Sequence, residues 1–168
     1  LGRVLTSQQR YDEARSVFER TARIGTESLW LWVNWGSLYL AQGHEDDAIA
    51  MYRKAIAGTR PNNRNDRARL DAYNRLMLLF TQKQLLDEVE ALHLQRTSEF
   101  DIYACYFNEY AEFRLSLRAD YQGAIDLGHK ALEGGCTQPA ARETLGLAYY
   151  LQAAKKRTDN SSEVARAQ

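Results

Sequence analysis

The sequence predicts an all-α protein built from antiparallel helix pairs that repeat along the chain. Three observations support this prediction: apolar residues are spaced as on helix faces, prolines are rare, and segments of the chain resemble one another at a constant interval. Proline is uncommon inside helices because it removes a backbone donor and clashes with the preceding turn. The interval, about 34 residues, is typical of stacked helix–turn–helix units. We therefore expect an α-solenoid of about five antiparallel helix pairs.

The repeat is clearest in two segments that align residue by residue. Residues 11–18 resemble residues 45–52, and Ala14 and Ala48 occupy equivalent places in these segments. An isolated pair of short helices cannot bury its apolar face, so neighbouring units must stack to form a core. Gly2 and Gly36 show the same interval and belong to these two units, and the remaining copies are marked by Val89, Ala124 and Gly146.

Small residues recur where the two helices of a unit are expected to meet. In the clearest unit, Gly36 on the first helix and Ala48 on the second allow the helices to approach closely. Trp32, Tyr39 and Tyr52 are expected to fill the remaining space. Acidic residues 45–47 favour the start of the second helix, because carboxylates stabilise a helix N-terminus.

The segment from about residue 29 to 61 resembles the tetratricopeptide repeat family. The chain departs from the family pattern in three respects: the connection over residues 58–66 is extended, Met77 and Glu112 stand where the family has a small residue, and the first unit is incomplete. The resemblance covers roughly residues 1–155 and implies a right-handed superhelix with a concave surface. It is carried by Trp32, Trp35, Gly36, Tyr39, Gly43, Ala48, Tyr52, Ala55 and Pro61.

The repeat predicts one helical domain over residues 1–157. Residues 158–168 are expected to be a polar tail or the start of a further, truncated helix. The first unit lacks the start of its first helix, which favours a fragment of a longer protein. The predicted units span about residues 1–28 (incomplete), 29–61, 70–100, 102–137 and 139–157 (incomplete).

The resemblance implies that one face of each first helix lines the concave surface. A mixture of aromatic anchors, amides and an arginine is typical of surfaces that bind proteins. Trp30 and Tyr110 are equally compatible with the core, and the register around Tyr110 is open by one residue. Asp71 stands where carboxylate-binding relatives need a lysine, so we do not expect that ligand. The predicted partner-binding residues are Trp30, Asn34, Ser37, Asn74, Arg75, Leu78, Tyr106 and Tyr110.

The predicted function is a non-catalytic module that binds a peptide or protein segment in a concave groove. The alternative is the sensory or scaffolding part of a larger regulator or of an export or assembly protein. A structural spacer or homodimer is a third hypothesis. No phosphate-binding loop or nucleophile motif occurs, and His44, His93 and His129 lack partners at metal-ligand spacing. We therefore expect no enzyme activity, cofactor or metal.

Composition excludes several other classes. Because 22 basic and 22 acidic residues cancel, we expect no nucleic-acid partner, and no apolar run is long enough for membrane insertion. The arginine-rich stretch 60–69 is interpreted as a solvated connection rather than an anion-binding patch. Cys105 and Cys136 are expected to be buried thiols, which slightly favours the cytoplasm, with a disulfide between them as the alternative. The sequence leaves the compartment open.

Overall fold

The computed structural model describes residues 1–58 and 63–166, and over these residues all regular structure is α-helical. This confirms the all-α prediction. The chain divides into two compact units, Leu1–Leu85 and Leu86–Gln168. Unit 1 contains α1 (Gly2–Ser7), α2 (Tyr11–Ile24), α3 (Trp30–Ala41), α4 (Glu45–Ala57) and α5 (Asn63–Gln82); unit 2 contains α6 (Leu86–Glu99), α7 (Cys105–Leu117), α8 (Tyr121–Glu133) and α9 (Pro139–Arg166).

The turns that follow α1, α3 and α5 share one geometry. In each, the amide after the turn donates to the carbonyl five positions earlier, as in the bonds from Arg10 to Leu5 and from His44 to Tyr39, both 2.9 Å. This bond closes the C-terminus of a helix and requires a left-handed residue beside it. Those residues are Gln9, Gly43 and Gln84, with φ angles of 60°, 78° and 59°. The turn at residue 9 and the turn at residue 43 thus recur at the predicted interval.

The core of unit 1 forms between neighbouring helices. Phe18 of α2 stacks on Trp35 of α3, and Trp32 lies parallel to Trp35 with ring centroids 5.8 Å apart. The ammonium of Lys54 covers the Trp32 ring at 3.7 Å. Ala48 of α4 is fully buried, as expected for a small residue at the contact between α3 and α4, which we call the seam.

Unit 2 has a comparable core of small and branched side chains. Ala111 and Leu115 of α7 pack against Ala124 and Ile125 of α8 and Ala148 of α9. Asp120 caps the start of α8 by accepting a hydrogen bond from the amide of Gly123 at 3.0 Å. These contacts explain why α7, α8 and α9 pack together, since each presents small residues at the points of closest approach.

Cys105 and Cys136 form a disulfide, so the expectation of buried thiols is wrong. Cys105 begins α7 and Cys136 follows the end of α8, and their α-carbons are 4.9 Å apart. Because the two helices are antiparallel, the start of one lies beside the end of the other. The disulfide therefore joins the open end of the α7–α8 pair.

Two helices extend beyond their predicted limits. α5 begins at Asn63 rather than near residue 70, because residues 63–69 contain no helix breaker and Ala68 is buried. α9 continues without a break to Arg166, so neither a polar tail nor a separate helix begins at residue 158. Pro61, which contributes to the family resemblance, and Arg60, in the predicted solvated connection, lie outside the described residues. Arg69, at the end of the predicted solvated stretch, is buried. The division into five units stays a prediction.

Within the described part of the chain, every helix is too short or too polar to cross a lipid bilayer.

Candidate functional site

The residues predicted to bind a partner lie on three helices. Trp30, Asn34 and Ser37 follow one side of α3 at spacings of three and four positions, as a helix face requires. Asn74, Arg75 and Leu78 belong to α5, in the same unit. Tyr106 and Tyr110 belong to α7 of unit 2 and are described separately.

Tyr52 of α4 brings the α3 and α5 residues of unit 1 together. Its hydroxyl lies 3.5 Å from Oγ of Ser37, and its ring lies 5.9 Å from the guanidinium carbon of Arg75. Tyr52 itself is fully buried. It therefore forms the floor between Ser37 and Arg75 rather than an exposed contact.

Arg75 is held in place by an acid on its own helix. Its Nε donates to Oδ2 of Asp71 at 2.5 Å, one helical turn away. Burial on its own lowers the pKa of Arg75, but the bond to Asp71 and the contact with Tyr52 raise it above its usual value. The charge of Arg75 is thus partly neutralised, so a partner carboxylate gains less from it than from a free guanidinium.

Trp30 and Asn34 also line a pocket of about 440 Å³ that α3 shares with α1 and α2. The carboxamide nitrogen of Asn34 donates to the carbonyl of Trp30 at 2.7 Å, which fixes the amide beside the indole. Trp30 is 40% exposed, an unusual fraction for tryptophan. The other lining residues are Leu1, Gly2, Arg3, Val17, Phe18, Thr21, Thr26, Ser28 and Leu31.

Asn74 and Leu78 occupy the exposed side of α5. Leu78 is 61% exposed although it is apolar, and Asn74 lies one helical turn from it. Single exposed leucines are common on protein surfaces, so the exposure of Leu78 does not by itself indicate a binding role. Its position beside Arg75 is what makes it a candidate contact.

Tyr106 of unit 2 is partly covered by its own neighbours. The guanidinium of Arg96 lies 4.5 Å from the Tyr106 ring and forms an ion pair with Glu109 at 2.7 Å. Tyr103 packs against the Tyr106 ring, with ring centroids 5.6 Å apart. Tyr103, Tyr106 and Glu109, together with the Cys105–Cys136 disulfide, border a pocket of about 360 Å³.

Tyr110 lies in the core, which corrects its interpretation as a partner contact. Its side chain is 2% exposed, and its hydroxyl donates to Glu90 at 2.9 Å. Arg114 donates to the same hydroxyl at 2.8 Å and to Asp120 at 2.5 Å, and it also forms an ion pair with Glu90. Burial raises the pKa of Tyr110. The residue therefore organises a polar network between α6, α7 and the start of α8.

Three residues that were not predicted as partner contacts also shape the candidate site in unit 1. They are Tyr52, which was placed in the core only, and the pocket residues Arg3 and Phe18. A signal for the two pocket residues exists, because Arg3 is the repeat equivalent of Ser37 and Phe18 is the repeat equivalent of Tyr52. The repeat period, applied to Ser37 and Tyr52, therefore points to both pocket residues.

Side chains able to hold a metal do not come together in the parts of the structure that are described: there is no group of three or more histidine, cysteine, aspartate or glutamate residues. The site contains hydrogen-bonding and apolar groups, and these are suited to binding a polypeptide.

Comparison with known proteins agrees with this architecture. Residues 1–29 and residues 31–57 match two family models, each described as a tetratricopeptide repeat. The solved structure of MamA AMB-1 in crystal form P212121 is similar to this chain, with a TM-score of 0.56, 16% identity, and coverage of 99% of this chain and 89% of the other. A MamA mutant gives a TM-score of 0.53, also at 16% identity, covering 93% and 86%. No curated protein matches the chain.

The fold and the site define a helical-repeat protein of the kind that serves as an interaction or scaffold module. The matches over residues 1–29 and 31–57 support the tetratricopeptide-repeat resemblance for that part of the chain. The family is generally non-catalytic, and the MamA structures support the same fold across nearly the whole chain.

Proposed function

We propose that unit 1 binds a segment of a partner protein along α3, with an apolar side chain of the partner in the Trp30 pocket. The observation that carries this proposal is the exposed indole of Trp30 at the edge of a pocket of about 440 Å³. Val17, Phe18 and Leu31 give the pocket apolar walls. Pockets of this size hold a bulky side chain or a small ligand.

Polar groups around the pocket favour a polypeptide over a purely apolar ligand. Asn34 is fixed beside Trp30, and Ser37 follows one turn later above the Tyr52 hydroxyl. Arg75 continues this row of polar side chains onto α5, where Asn74 and Leu78 are exposed. Peptide backbones offer the alternating donors and acceptors that such a row of side chains recognises. Because Asp71 partly neutralises Arg75, we expect the segment to bind without a C-terminal carboxylate.

The experiment is selection of peptides from a phage-displayed random library on the full chain, followed by calorimetric titration of the selected synthetic peptide. We expect Trp30→Ala and Arg75→Ala each to raise the dissociation constant by about tenfold, as truncated anchor residues do. Leu94→Ala removes an exposed leucine from α6 in unit 2 and serves as the matched control. Undiminished affinity in both unit 1 variants would reject this surface.

Tyr106 is proposed as a separate contact on unit 2. Part of its ring is already covered by Arg96 and Tyr103, which leaves the side facing the neighbouring pocket for a partner. If the selected peptide also uses unit 2, Tyr106→Ala lowers its affinity whereas Leu94→Ala does not.

A further inference from the structure

The outer side of α9 is an exposed helix face that contains an uncovered glycine. The inner side of α9 packs on unit 2 through Ala141, Thr144 and Ala148, which are buried. On the opposite side Leu147 is 50% exposed and Tyr150 is 70% exposed. We call this side the outer α9 face; its members are Glu143, Gly146, Leu147, Tyr150, Ala153 and Arg157.

Glycines at the same repeat position in unit 1 show what covers such a residue. Gly2 and Gly36 each lie against an aromatic ring of the antiparallel helix that follows, Phe18 in the first case and Tyr52 in the second. A β-carbon on Gly36 would stand 2.6 Å from the Tyr52 ring, so only glycine fits there. A β-carbon on Gly146 would meet nothing within 4 Å. Among the described residues, no ring covers α9 at this position.

The stretch of chain that follows Gly146 does not supply that ring. Phe18 follows Gly2 by the same number of positions as Tyr52 follows Gly36, and the position that corresponds to them after Gly146 is Ser162. Moreover, the backbone at residue 162 is still part of α9, which has not turned back. An aromatic side chain for Gly146 has to come from elsewhere.

The outer α9 face carries both halves of the motif, the glycine and an exposed aromatic ring. Tyr150 lies one turn after Gly146 on the same face. We propose that a second copy of this chain binds antiparallel along α9, so that Tyr150 of each copy covers Gly146 of the other. If the two helices cross at the level of Ala148, residue 146 of one copy lies opposite residue 150 of the other, because each is two positions from the crossing point. Such an interface is self-complementary, as a two-fold dimer requires.

Charges on the face support the antiparallel direction. Glu143 lies before the crossing point and Arg157 lies after it. In the antiparallel pair Glu143 of one copy is about 6 Å along the axis from Arg157 of the other, within the reach of an arginine side chain. A parallel pair places like charges side by side. The small residues Gly146 and Ala153 permit the helices to approach.

The experiment is sedimentation equilibrium of the full chain over a concentration series up to about 1 mM. We expect a monomer–dimer equilibrium, with a dissociation constant raised by about tenfold or more in both Gly146→Ala and Tyr150→Ala. The alanine variant is informative because its β-carbon meets nothing in the monomer, so circular dichroism and thermal unfolding stay unimpaired. Ile102→Ala removes an exposed apolar side chain elsewhere in unit 2 and leaves the dissociation constant unchanged.

A charge exchange tests the direction of the helices. Glu143→Arg is expected to weaken the dimer, and Glu143→Arg combined with Arg157→Glu to restore it. A chain that stays monomeric over the whole series, or a dimer insensitive to Gly146→Ala and Tyr150→Ala, overturns the proposal. The proposal is also overturned if Gly146→Ala lowers the thermal stability of a monomer, because another segment of the same chain then covers the glycine. Binding of the outer α9 face to a different protein only, and not to a second copy, overturns it as well. Peptide binding by Trp30 in unit 1 is unaffected by these variants, so the two proposals fail independently.

Discussion

The backbone of Gly36 lies directly beneath the ring of Tyr52, so closely that a β-carbon at residue 36 would be 2.6 Å from Cε1 of the ring. Tyr52 has no room to move away because it is fully buried and its hydroxyl lies near Ser37. This contact joins the seam between α3 and α4 to the candidate binding surface above it. A single glycine thus supports both the packing of unit 1 and the floor of its site.

We predict that Gly36→Ala lowers the free energy of unfolding by about 1–3 kcal/mol, because the added carbon overpacks the seam. Urea unfolding followed by tryptophan fluorescence measures this, since all three tryptophans, at positions 30, 32 and 35, lie in unit 1. Gly146→Ala, measured in dilute protein below the dissociation constant of the proposed dimer, is the matched control: its β-carbon enters open space in the monomer, and alanine favours a helix by about 0.5–1 kcal/mol over glycine. Equal stability of the wild type and Gly36→Ala would show that the seam is looser than described.

We predict that reducing the Cys105–Cys136 disulfide lowers the free energy of unfolding by about 3–4 kcal/mol. The two cysteines have a sequence separation of 31, and a crosslink over a loop of that size restricts the unfolded chain by this amount. Urea unfolding followed by circular dichroism, with and without reductant, gives the difference. In the double variant Cys105→Ser and Cys136→Ser, reductant should change nothing. Two free thiols in the unreduced, denatured wild type would refute the bond itself.

We predict that His93 makes the protein less stable as the pH falls. Burial, and then the nearby charge of Arg96, lower the pKa of His93 to about 3 from 6.5. The ring lies against Tyr110 and Phe113, so the folded state holds it neutral. Between about pH 6.5 and 3 the unfolded chain binds a proton that the folded chain does not, so stability increases with pH across this window. Acidification therefore lowers the free energy of unfolding by up to about 1.4 kcal/mol per pH unit.

The measurement for His93 is urea unfolding of the wild type and His93→Gln at several pH values from neutral down to about 4, inside that window. Carboxylates such as Asp120, whose pKa is lowered by hydrogen bonds from Gly123 and Arg114, contribute equally in both proteins. The difference between the two curves therefore isolates His93. Parallel pH dependences would mean that the folded state accepts the proton.

We predict that Arg114→Ala destabilises unit 2 by about 2 kcal/mol, because it leaves the partly buried Glu90, Asp120 and Tyr110 hydroxyl without their shared donor. Burial on its own lowers the pKa of Arg114, but the bonds to Tyr110 and Asp120 raise it above its usual value, so the residue stays charged. Urea unfolding followed by circular dichroism measures the loss. Arg10→Ala breaks the exposed pair with Glu13 and should have little effect. Similar losses in both variants would argue against a special role for the Arg114 network.

The sequence placed most of the candidate site residues on their helices and misplaced Tyr110, for a physical reason. The places of Trp30, Asn34, Ser37 and Arg75 on their helices follow from a clear repeat, although their contact with a partner stays a prediction. Tyr110 was misplaced because the register of the repeat on its helix was open by one residue. A shift of one residue turns a side chain by about 100° around the helix axis. That rotation separates an exposed contact from a buried one.

The sequence by itself determined the helical class and, over residues 1–57, the phase of the repeat and the small residues where paired helices meet, because each of these depends on local spacing along the chain. Only the tertiary structure decided the Cys105–Cys136 bond, the approach of Ser37 and Arg75 to Tyr52, and the exposure of Gly146. These depend on distances between residues far apart in sequence, which are fixed by how neighbouring helices pack and not by the period of either helix alone.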